Sequence, residues 1–463
     1  MRILRHHLRR SFALLALAET AAFLAIPYGV LHFFALQGGG GGTPLAHPGL
    51  PFIGAFALVT EAGALAVGLY SPWLRAGAMG LFMRSIVSAA GGALVLLPFT
   101  LLAGYALSWC KVLFAAALLA ACVTFLLRLL FLRIVDEDAF KGRVLVYGTG
   151  KAAASLSQLR RRSDRRGFLI IGYVQPPGEI VAIPAQQLLP GATLHAVAAT
   201  HGIDEIVVAM DERRTVFPLD QLLECRLLGI EVVDLTTFLE RETGKVYLES
   251  LNPSWLIFGP GFRRDAIRLM TERTFDVLAS LGLLLLTWPF MLLTAAAIKF
   301  EDGWRAPVFY RQKRVGLGNR VFEVLKFRSM SVNAESNGEA RWAARSDSRV
   351  TRVGSVIRKI RIDELPQILN ILRGDMSFVG PRPERPEFVE LLAQKIPFYR
   401  ERHFVKPGLT GWAQICYPYG SSEQDAAQKL QYDLYYVKNH HLLFDLYILL
   451  QTAEVILWRK GAR

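Results

Sequence analysis

The sequence predicts a multi-domain membrane protein with a four-helix transmembrane bundle, a Rossmann-like α/β middle domain and an α-rich C-terminal domain that contains a re-entrant membrane helix. Three observations lead to this fold class. Four long apolar segments fill the first 135 residues, a strand, glycine turn and helix pattern begins at residue 143, and a proline interrupts a further apolar segment at 274–298. With 463 residues, 52% of them hydrophobic, the chain is long enough for two or three such domains.

The N-terminal bundle, residues 1–135, is predicted from apolar segments at 11–36, 50–70, 81–107 and 112–131, each long enough to cross a bilayer. The first of them is longer than the apolar part of a signal peptide, which favours a retained helix. Basic residues lie before the first segment, between the second and third, and after the fourth, so both ends of the bundle should face the cytoplasm.

Two acidic residues, Glu19 and Glu61, fall within these predicted spans. An ionisable residue at such a depth is often functional. The sequence offers no partner that would make a transport pathway, so we favour a role in helix packing or a place at the interface.

The middle domain, residues 140–240, begins with RVLVYGTGKAAAS, which is typical of a buried strand that passes through Gly148 and Gly150 into a helix. Further strands are predicted at 168–174, 205–210 and 231–235, which implies an open parallel sheet. The glycine pattern alone is a weak cofactor signal, and Gln175 stands where a dinucleotide-binding fold has an acid. We therefore expect a structural or regulatory domain without NAD.

A linker with a basic interfacial helix is predicted at 241–273, before the apolar segment 274–298. Pro289 lies near the centre of that segment and should kink it, so that both ends return to one membrane face. Trp288 precedes the proline. The sequence thus predicts a re-entrant helix rather than a fifth crossing.

The most informative stretch is DELPQ, in which Asp363 and Glu364 stand two positions before Pro366. Proline lacks the N–H that would bond the Ile362 carbonyl, so the two carboxylates should lie at a bend. Arginine side chains, whose forks match phosphate oxygens, surround the pair in sequence: Arg358, Arg361, Arg373, Arg382 and Arg385. This pattern indicates a phosphate-bearing substrate, with acids that hold a divalent metal or attack phosphorus. A surface acid pair with solvated arginines is equally compatible with it.

IRIDELPQ and the following NILRGDMSFVGPRPERPEF resemble the signature of the bacterial sugar transferases, the monotopic polyprenyl-phosphate phosphoglycosyl transferases of exopolysaccharide biosynthesis. The likeness extends over RQKRVGLGNRVFEVLKFRSM and SDSRVTRVGSVIRK before the acid pair, and KPGLTGWAQ and YDLYYVKN after it. Several motifs in the family's order cover about the last 200 residues.

This resemblance implies that residues 274–463 form the catalytic domain and that Asp363 is its nucleophile. Asp363 would attack the sugar-bearing phosphorus of a UDP-sugar and expel UMP, and polyprenyl (undecaprenyl) phosphate would then take up the phosphosugar. Together with Asp363, Glu364 would hold Mg²⁺. The enzyme would work at the inner membrane of a bacterium, with this domain in the cytoplasm.

The resemblance also implies residues that contact substrate. Arg358, Arg382 and Lys326 match the family's basic positions. The short apolar alternations around Lys326 separately predict a hairpin that also delivers Arg328 to the site. Asp433 in YDLYY either contacts substrate or caps or orients a helix. Arg361 departs from the family's pattern, since a small polar residue usually stands there.

Two other interpretations remain open. A membrane-anchored nucleotide-sugar dehydratase would resemble this chain in having four spans and a Rossmann domain, and Tyr147 and Lys151 have its spacing, although within the glycine turn. Alternatively, the chain is a non-catalytic membrane scaffold or nucleotide sensor.

The charge of +14 fits anionic lipid or a phosphorylated substrate, and no motif for nucleic acid accompanies it. The four cysteines have no CxxC spacing, which argues against a metal cluster or a disulfide framework. The bundle and middle domain offer enough surface for a homodimer.

Overall fold

The computed structural model describes residues 10–37, 50–70, 78–102, 108–135, 142–157, 168–190, 193–212, 217–248, 251, 266–331, 349–417, 420 and 422–458. The chain divides into two compact units, Met1–Gly244 and Lys245–Arg463.

Four apolar helices open the first unit. They are α1 (Arg10–Gln37), α2 (Leu50–Ala66), α3 (Ala78–Leu102) and α4 (Ser108–Val135). Within α1, α3 and α4, the segments Leu14–Phe34, Met79–Thr100 and Trp109–Phe131 are long and apolar enough to cross a membrane. The predicted apolar helices are therefore present, although α2 is shorter than the sequence suggested.

The second helix stops early because Gly68 has a φ of 73°, a left-handed conformation that ends helices. The N–H groups of Gly68 and Leu69 turn back onto carbonyls of the last helical turn. Arg128 on α4 donates to the Leu69 carbonyl, and its NH2 also lies 2.7 Å from Oε2 of Glu19. The packing role expected of Glu19 is confirmed, with Arg128 as a partner that the sequence did not reveal.

The rest of the first unit is a four-stranded parallel sheet with helices between the strands. Its elements are β1 (Gly142–Tyr147), α5 (Lys151–Ser157), β2 (Phe168–Val174), α6 (Leu194–His201), β3 (Glu205–Val208), α7 (Leu219–Leu227), β4 (Glu231–Asp234) and α8 (Leu235–Thr243). The strand order is β2-β1-β3-β4, and all three strand pairs are parallel. β1 and β3, in the middle, are almost wholly buried, as the apolar runs predicted.

The second unit begins with one long helix, α9 (Ala266–Asp302), and a hairpin of β5 (Phe309–Val315) and β6 (Val321–Phe327). It continues with α10 (Arg352–Lys359), a 3₁₀ turn (Ile362–Glu364), α11 (Gln367–Arg373), β7 (Ser377–Val379) and α12 (Pro386–Lys395). A second 3₁₀ segment (Tyr399–Phe404), β8 (Gly408–Thr410), α13 (Trp412–Cys416), α14 (Glu423–Asn439) and α15 (Leu442–Trp458) complete it.

Helix α9 joins two segments that the sequence analysis separated. The described part of the predicted basic helix, from residue 266, continues without a boundary into the apolar segment, and Pro289 lies inside the helix. Large apolar side chains of α9 are exposed, among them Leu285 (74%), Leu286 (73%) and Leu293 (68%). Exposure of this extent on one helix indicates contact with lipid.

A parallel pair of very short strands, β7 and β8, lies at the centre of the second unit, where glycines let two backbones touch. A Cβ on Gly411 would lie 2.1 Å from the Gly380 carbonyl oxygen, and one on Gly408 would lie 2.1 Å from the Gly380 nitrogen. Trp412, Tyr435 and Phe444 belong to the same buried core as this strand pair. The two motifs GPRP and KPGLTGWAQ are thereby held side by side.

Candidate active site

The two adjacent carboxylates lie on the 3₁₀ turn Ile362–Glu364, which we call the acid turn. Arg361, which precedes it, has a left-handed φ of 62°, and the N–H of Leu365 donates to the Ile362 carbonyl at 3.1 Å. Pro366 then begins the approach to α11 as its N-cap residue. The bend predicted from proline is confirmed, and it presents Asp363 and Glu364 between two helices.

Glu364 is surrounded by cations. Its Oε1 lies 3.1 Å from Lys326 Nζ and 3.2 Å from Arg382 NH2, and its Oε2 lies 3.6 Å from Arg361 NH1. Burial alone would raise the pKa of Glu364, but Arg382, Lys326 and Arg361 outweigh it and hold the pKa well below its usual value. Glu364 is therefore a fixed negative charge that gathers these basic side chains around the acid turn.

Asp363 has a different environment. Its Oδ1 atom is buried and has no hydrogen-bond partner among the residues that the structure describes. Burial and the neighbouring Glu364 raise the pKa of Asp363, and Lys326, Arg361 and Arg358 oppose that rise. A carboxylate oxygen without a partner, close to several cations, is suited to a nucleophile or a metal ligand.

Lys326 comes to the acid turn on strand β6 of the predicted hairpin. Asn370 of α11 holds that strand in place, because its Oδ1 accepts the Leu325 N–H at 3.0 Å and its Nδ2 donates to the Glu323 carbonyl at 2.7 Å. Burial lowers the pKa of Lys326, and the charge of Glu364 counteracts this. The structure thus brings Lys326 to the acids.

Arg382 lies in GPRP, directly after β7, and its NH2 reaches the same Oε1 of Glu364 as Lys326 does. Its NH1 also donates to Oε1 of Gln414, at a long 3.4 Å. The Nε2 of Gln414 is buried and has no partner among the described residues. Gln414 thus places an unused N–H donor beside the arginine that faces the acids.

The other three predicted contact residues differ from one another. Arg358, on α10, is near enough to help lower the pKa of Asp363. Arg328 is buried, with its NH2 2.6 Å from Oδ2 of Asp302 at the end of α9. Asp433 is buried on α14, with its Oδ2 2.7 Å from Arg402 NH2.

Arg328 and Asp433 thus pair with partners of opposite charge away from Glu364, whereas Lys326 and Arg382 converge on it. Sequence reasoning missed three residues that shape the site, namely Asn370, Gln414 and Arg402. Asn370 could have been noticed, since a lone amide among the apolar residues of ILNIL indicates a buried polar group with fixed partners.

The glycine turn of the α/β sheet is filled by side chains of the chain itself. Glu179 accepts hydrogen bonds from the Thr149 N–H at 2.6 Å and from the Asp211 N–H at 2.8 Å. Asp211 accepts from the N–H groups of Lys151 and Ala152, at the start of α5. A Cβ on Gly150 would lie 2.2 Å from the Asp211 carboxylate, which accounts for that glycine without a bound pyrophosphate.

The dehydratase interpretation needs Tyr147 and Lys151 on one helix. Tyr147 is instead the last residue of β1 and is buried, while Lys151 begins α5.

Comparison with known proteins matches residues 267–459 to the family model described as bacterial sugar transferase. A UDP-N-acetylgalactosamine-undecaprenyl-phosphate N-acetylgalactosaminephosphotransferase of Aeromonas hydrophila is 44% identical over 242 residues, 52% of this chain and 56% of the relative. The chain therefore spans little more than half of that relative.

Two relatives are matched over more of this chain. A UDP-glucose:undecaprenyl-phosphate glucose-1-phosphate transferase of Xanthomonas campestris pv. campestris is 32% identical over 338 residues, 69% of this chain and 67% of the relative. A protein of the same description from Escherichia coli K12 is 31% identical over 320 residues, 68% of this chain and 67% of the relative. These matches extend the likeness well beyond the C-terminal motifs.

Proposed function

Since the chain belongs to the bacterial sugar transferase family, as a long-form polyprenyl-phosphate phosphoglycosyl transferase, we propose that it transfers a sugar-1-phosphate from a UDP-sugar to polyprenyl phosphate. The reaction would proceed through a covalent intermediate on Asp363 and release UMP. The observation that carries this proposal is the buried Oδ1 of Asp363, which has no hydrogen-bond partner in the described part of the chain, next to a Glu364 that holds Lys326 and Arg382.

In the first step a carboxylate oxygen of Asp363 attacks the sugar-bearing phosphorus of the donor. A new bond forms between that oxygen and phosphorus, the phosphorus–oxygen bond to UMP breaks, and UMP leaves with the electron pair. Lys326 and Arg382 supply positive charge on the side of Glu364, where they can bind the oxygens of the diphosphate.

In the second step an oxygen of polyprenyl phosphate attacks the same phosphorus. The acyl phosphate bond breaks, the electron pair returns to Asp363, and polyprenyl-diphosphate-sugar is formed. Arg358 is the basic residue we assign to the phosphate of the lipid, because it lies on α10, next to exposed apolar side chains. On that helix Val356 is 59% exposed, and Ile360, which follows it, is 56% exposed.

We propose Mg²⁺ as the cofactor of this site. No cluster of three or more His, Cys, Asp or Glu suited to a metal ion occurs in the described part of the chain. Magnesium is commonly held by one or two carboxylates and substrate phosphates, so Asp363 and Glu364 fit it, since no described residue bonds Oδ1 of Asp363. When bound, it would neutralise diphosphate charge and stabilise the leaving UMP.

The contacts of α9 support a re-entrant helix. Near its beginning, Arg273 donates to the Ile371 carbonyl at 2.6 Å, and Asp276 accepts the Phe378 N–H at 3.1 Å. At its other end, Glu301 accepts the N–H of Arg352 at 2.7 Å. The short stretch from α10 through the acid turn to β7 is therefore fastened to both ends of one helix.

A straight helix from Arg273 to Glu301 would be about 42 Å long, which exceeds the roughly 30 Å of a bilayer core. If α9 crossed the bilayer, the stretch that links its ends would have to cross too, and would carry Asp363 and Glu364 into hydrocarbon at high cost. This cost does not arise if both ends of α9 lie on the same face of the membrane. We therefore propose that the helix re-enters and that the acid turn lies at the cytoplasmic face of the inner membrane.

A labelling experiment tests this topology. Ile267→Cys and Trp304→Cys change residues that are 78% and 74% exposed at the two ends of α9. A membrane-impermeant maleimide should label both from the cytoplasmic side only, after subtraction of labelling at the native cysteines. Labelling of the two positions from opposite sides would contradict the re-entrant helix.

The activity is tested with purified protein in detergent, polyprenyl phosphate, Mg²⁺ and a panel of UDP-sugars that includes UDP-glucose and UDP-N-acetylgalactosamine. We expect UMP release from at least one donor, dependent on Mg²⁺ and on the lipid for continued turnover. If no donor gives UMP, the scaffold interpretation is favoured. Tightly held NAD in the same preparation would favour the dehydratase.

A further inference from the structure

Arg402 is a buried arginine in the 3₁₀ segment Tyr399–Phe404, and only 5% of its side chain is exposed. Its NH2 lies 2.7 Å from Oδ2 of Asp433, which is 2% exposed, and its NH1 donates to the hydroxyl of Tyr399 at 2.9 Å. The positions of these three side chains in the core fix the guanidinium within narrow limits.

The same guanidinium reaches the active site through the backbone. NH2 of Arg402 donates to the carbonyl oxygen of Arg382 at 3.1 Å. Arg382 has a proline on each side, Pro381 and Pro383, so neither neighbour has an N–H that could anchor the turn. The segment is held through its carbonyls instead: that of Pro381 accepts a backbone N–H, that of Pro383 accepts from Arg314, and that of Arg382 accepts from Arg402.

The side chain of Arg382 is 37% exposed, whereas that of Glu364, which it pairs with, is 13% exposed. A long side chain that is partly in water is ordered only if its backbone and its far end are both fixed. Arg402 fixes the backbone of Arg382, and Glu364 binds its guanidinium.

We propose that Arg402, anchored by Asp433, is a positioning residue that places the Arg382 guanidinium at the acid turn. This inference rests on the proposed function, in which Arg382 binds the negatively charged diphosphate of the donor. Asp433 then acts through Arg402, and not by contact with substrate. The role requires arginine, because a lysine ammonium cannot form the same fork to a carboxylate, a hydroxyl and a carbonyl.

The test is a double-mutant cycle on kcat/KM for UMP release with Arg402→Lys and Arg382→Ala. Arg402→Lys should lower kcat/KM by about 10- to 100-fold, chiefly through kcat, because a small displacement of a charged group can cost that much. In the Arg382→Ala background the same change should lower kcat/KM by no more than about twofold, because the side chain through which Arg402 acts is absent. Losses that multiply would overturn the positioning role.

If Arg402→Lys folds poorly, Asp433→Asn takes its place in the cycle, since it keeps an oxygen acceptor and the shape of the side chain. Asp433→Asn should also lower kcat/KM, and this effect should disappear in the Arg382→Ala background. Arg241→Lys is the matched control, because Arg241 makes a comparable pair with Glu205, 2.6 Å away in the first unit. That variant should leave kcat/KM within about twofold.

Hydrogen exchange supplies a readout that needs no turnover. Peptides that cover residues 380–385 should exchange faster in Arg402→Lys than in the unsubstituted protein, and should be unchanged in Arg241→Lys. Equal exchange at 380–385 in all three proteins would overturn the proposal. Absence of UMP from the unsubstituted protein would instead refute the proposed function and leave the exchange measurement to decide the role of Arg402.

Discussion

Nζ of Lys326 lies 3.1 Å from Oε1 of Glu364, and this ion pair joins the β5–β6 hairpin to the acid turn. Arg382 NH2 approaches the same oxygen at 3.2 Å. The negative charge of one carboxylate therefore offsets the repulsion between the two cations, and the stability of each ion pair depends on the other. A substitution of Glu364 should affect both the stability of the domain and the binding of the donor.

Glu364→Gln keeps an oxygen acceptor but removes the charge. We expect UMP release to fall by at least about 100-fold, since Lys326 and Arg382 lose their common partner. The free energy of unfolding should fall by roughly 1–3 kcal/mol, less than for a fully buried pair because these side chains are partly exposed. Thermal unfolding and UMP assays measure the two effects.

Glu323→Gln is the control on the same hairpin. Glu323 pairs with Arg311 at 3.8 Å on an exposed surface, where such pairs contribute little. Equal destabilisation by the two substitutions would contradict the special position of Glu364.

Asp363→Asn should reduce turnover by at least about 1,000-fold while the protein still inserts in the membrane and unfolds at a similar temperature, because an amide cannot form the acyl phosphate. Protein quenched with UDP-sugar in the absence of lipid should carry a phosphosugar on Asp363, detectable by mass spectrometry. An unmodified Asp363 peptide during confirmed turnover would refute the covalent mechanism.

The pH dependence of the reaction follows from Asp363. In the proposed mechanism its carboxylate must be ionised to attack, and its pKa is raised by burial and by Glu364. As the pH falls, Asp363 therefore takes up its proton earlier than an ordinary aspartate with a pKa of about 3.9. The acid limb of kcat/KM should lie above that value.

Arg361→Ala provides the matched comparison, because Arg361 is 61% exposed and its charge opposes the rise in the pKa of Asp363. The acid limb should move to higher pH in this variant. A shift to lower pH would show that another group controls the limb.

Asn370 should matter for stability as much as for activity. It is fully buried and its amide satisfies two backbone groups of β6, the Leu325 N–H and the Glu323 carbonyl. Asn370→Leu keeps the branched shape of the side chain but leaves both groups without a partner, at a cost of roughly 2–4 kcal/mol. Chemical denaturation measures this cost, and a change below about 0.5 kcal/mol would contradict the role assigned to the amide.

The local features of the site were predictable where one residue type dictates the backbone. Pro366 forces the break at which Asp363 and Glu364 lie, and apolar alternation produces the hairpin that carries Lys326. What could not be predicted were partners distant in sequence. Arg328 and Asp433 are basic and acidic residues in suggestive motifs, yet the fold places each beside an opposite charge, Asp302 and Arg402, which no local pattern indicates.

The fold was predictable to a similar extent. The lengths of the apolar runs predicted the apolar helices and the parallel strands, because a segment that is surrounded by lipid or by protein on all sides needs a continuous apolar sequence. The early end of α2 depends on Gly68, whose left-handed conformation lies between the Val67 and Leu69 carbonyls, which accept hydrogen bonds from Arg84 and Arg128 on other helices. The glycine turn after β1 was recognised, but the acids that fill it, Glu179 and Asp211, lie 30 and 60 residues away from their partners.

Glu179 and Asp211 should stabilise the α/β sheet in place of a bound phosphate. Glu179→Ala removes the acceptor of the Thr149 and Asp211 N–H groups, and should lower the free energy of unfolding by roughly 2–4 kcal/mol. Glu212→Ala removes a neighbouring exposed carboxylate and should change it by less than about 0.5 kcal/mol. Because carboxylates occupy the N–H groups that would bind a pyrophosphate, the unsubstituted protein should also gain no thermal stability from millimolar NAD. Equal effects of the two substitutions, or stabilisation by NAD, would contradict a glycine turn closed by its own acids.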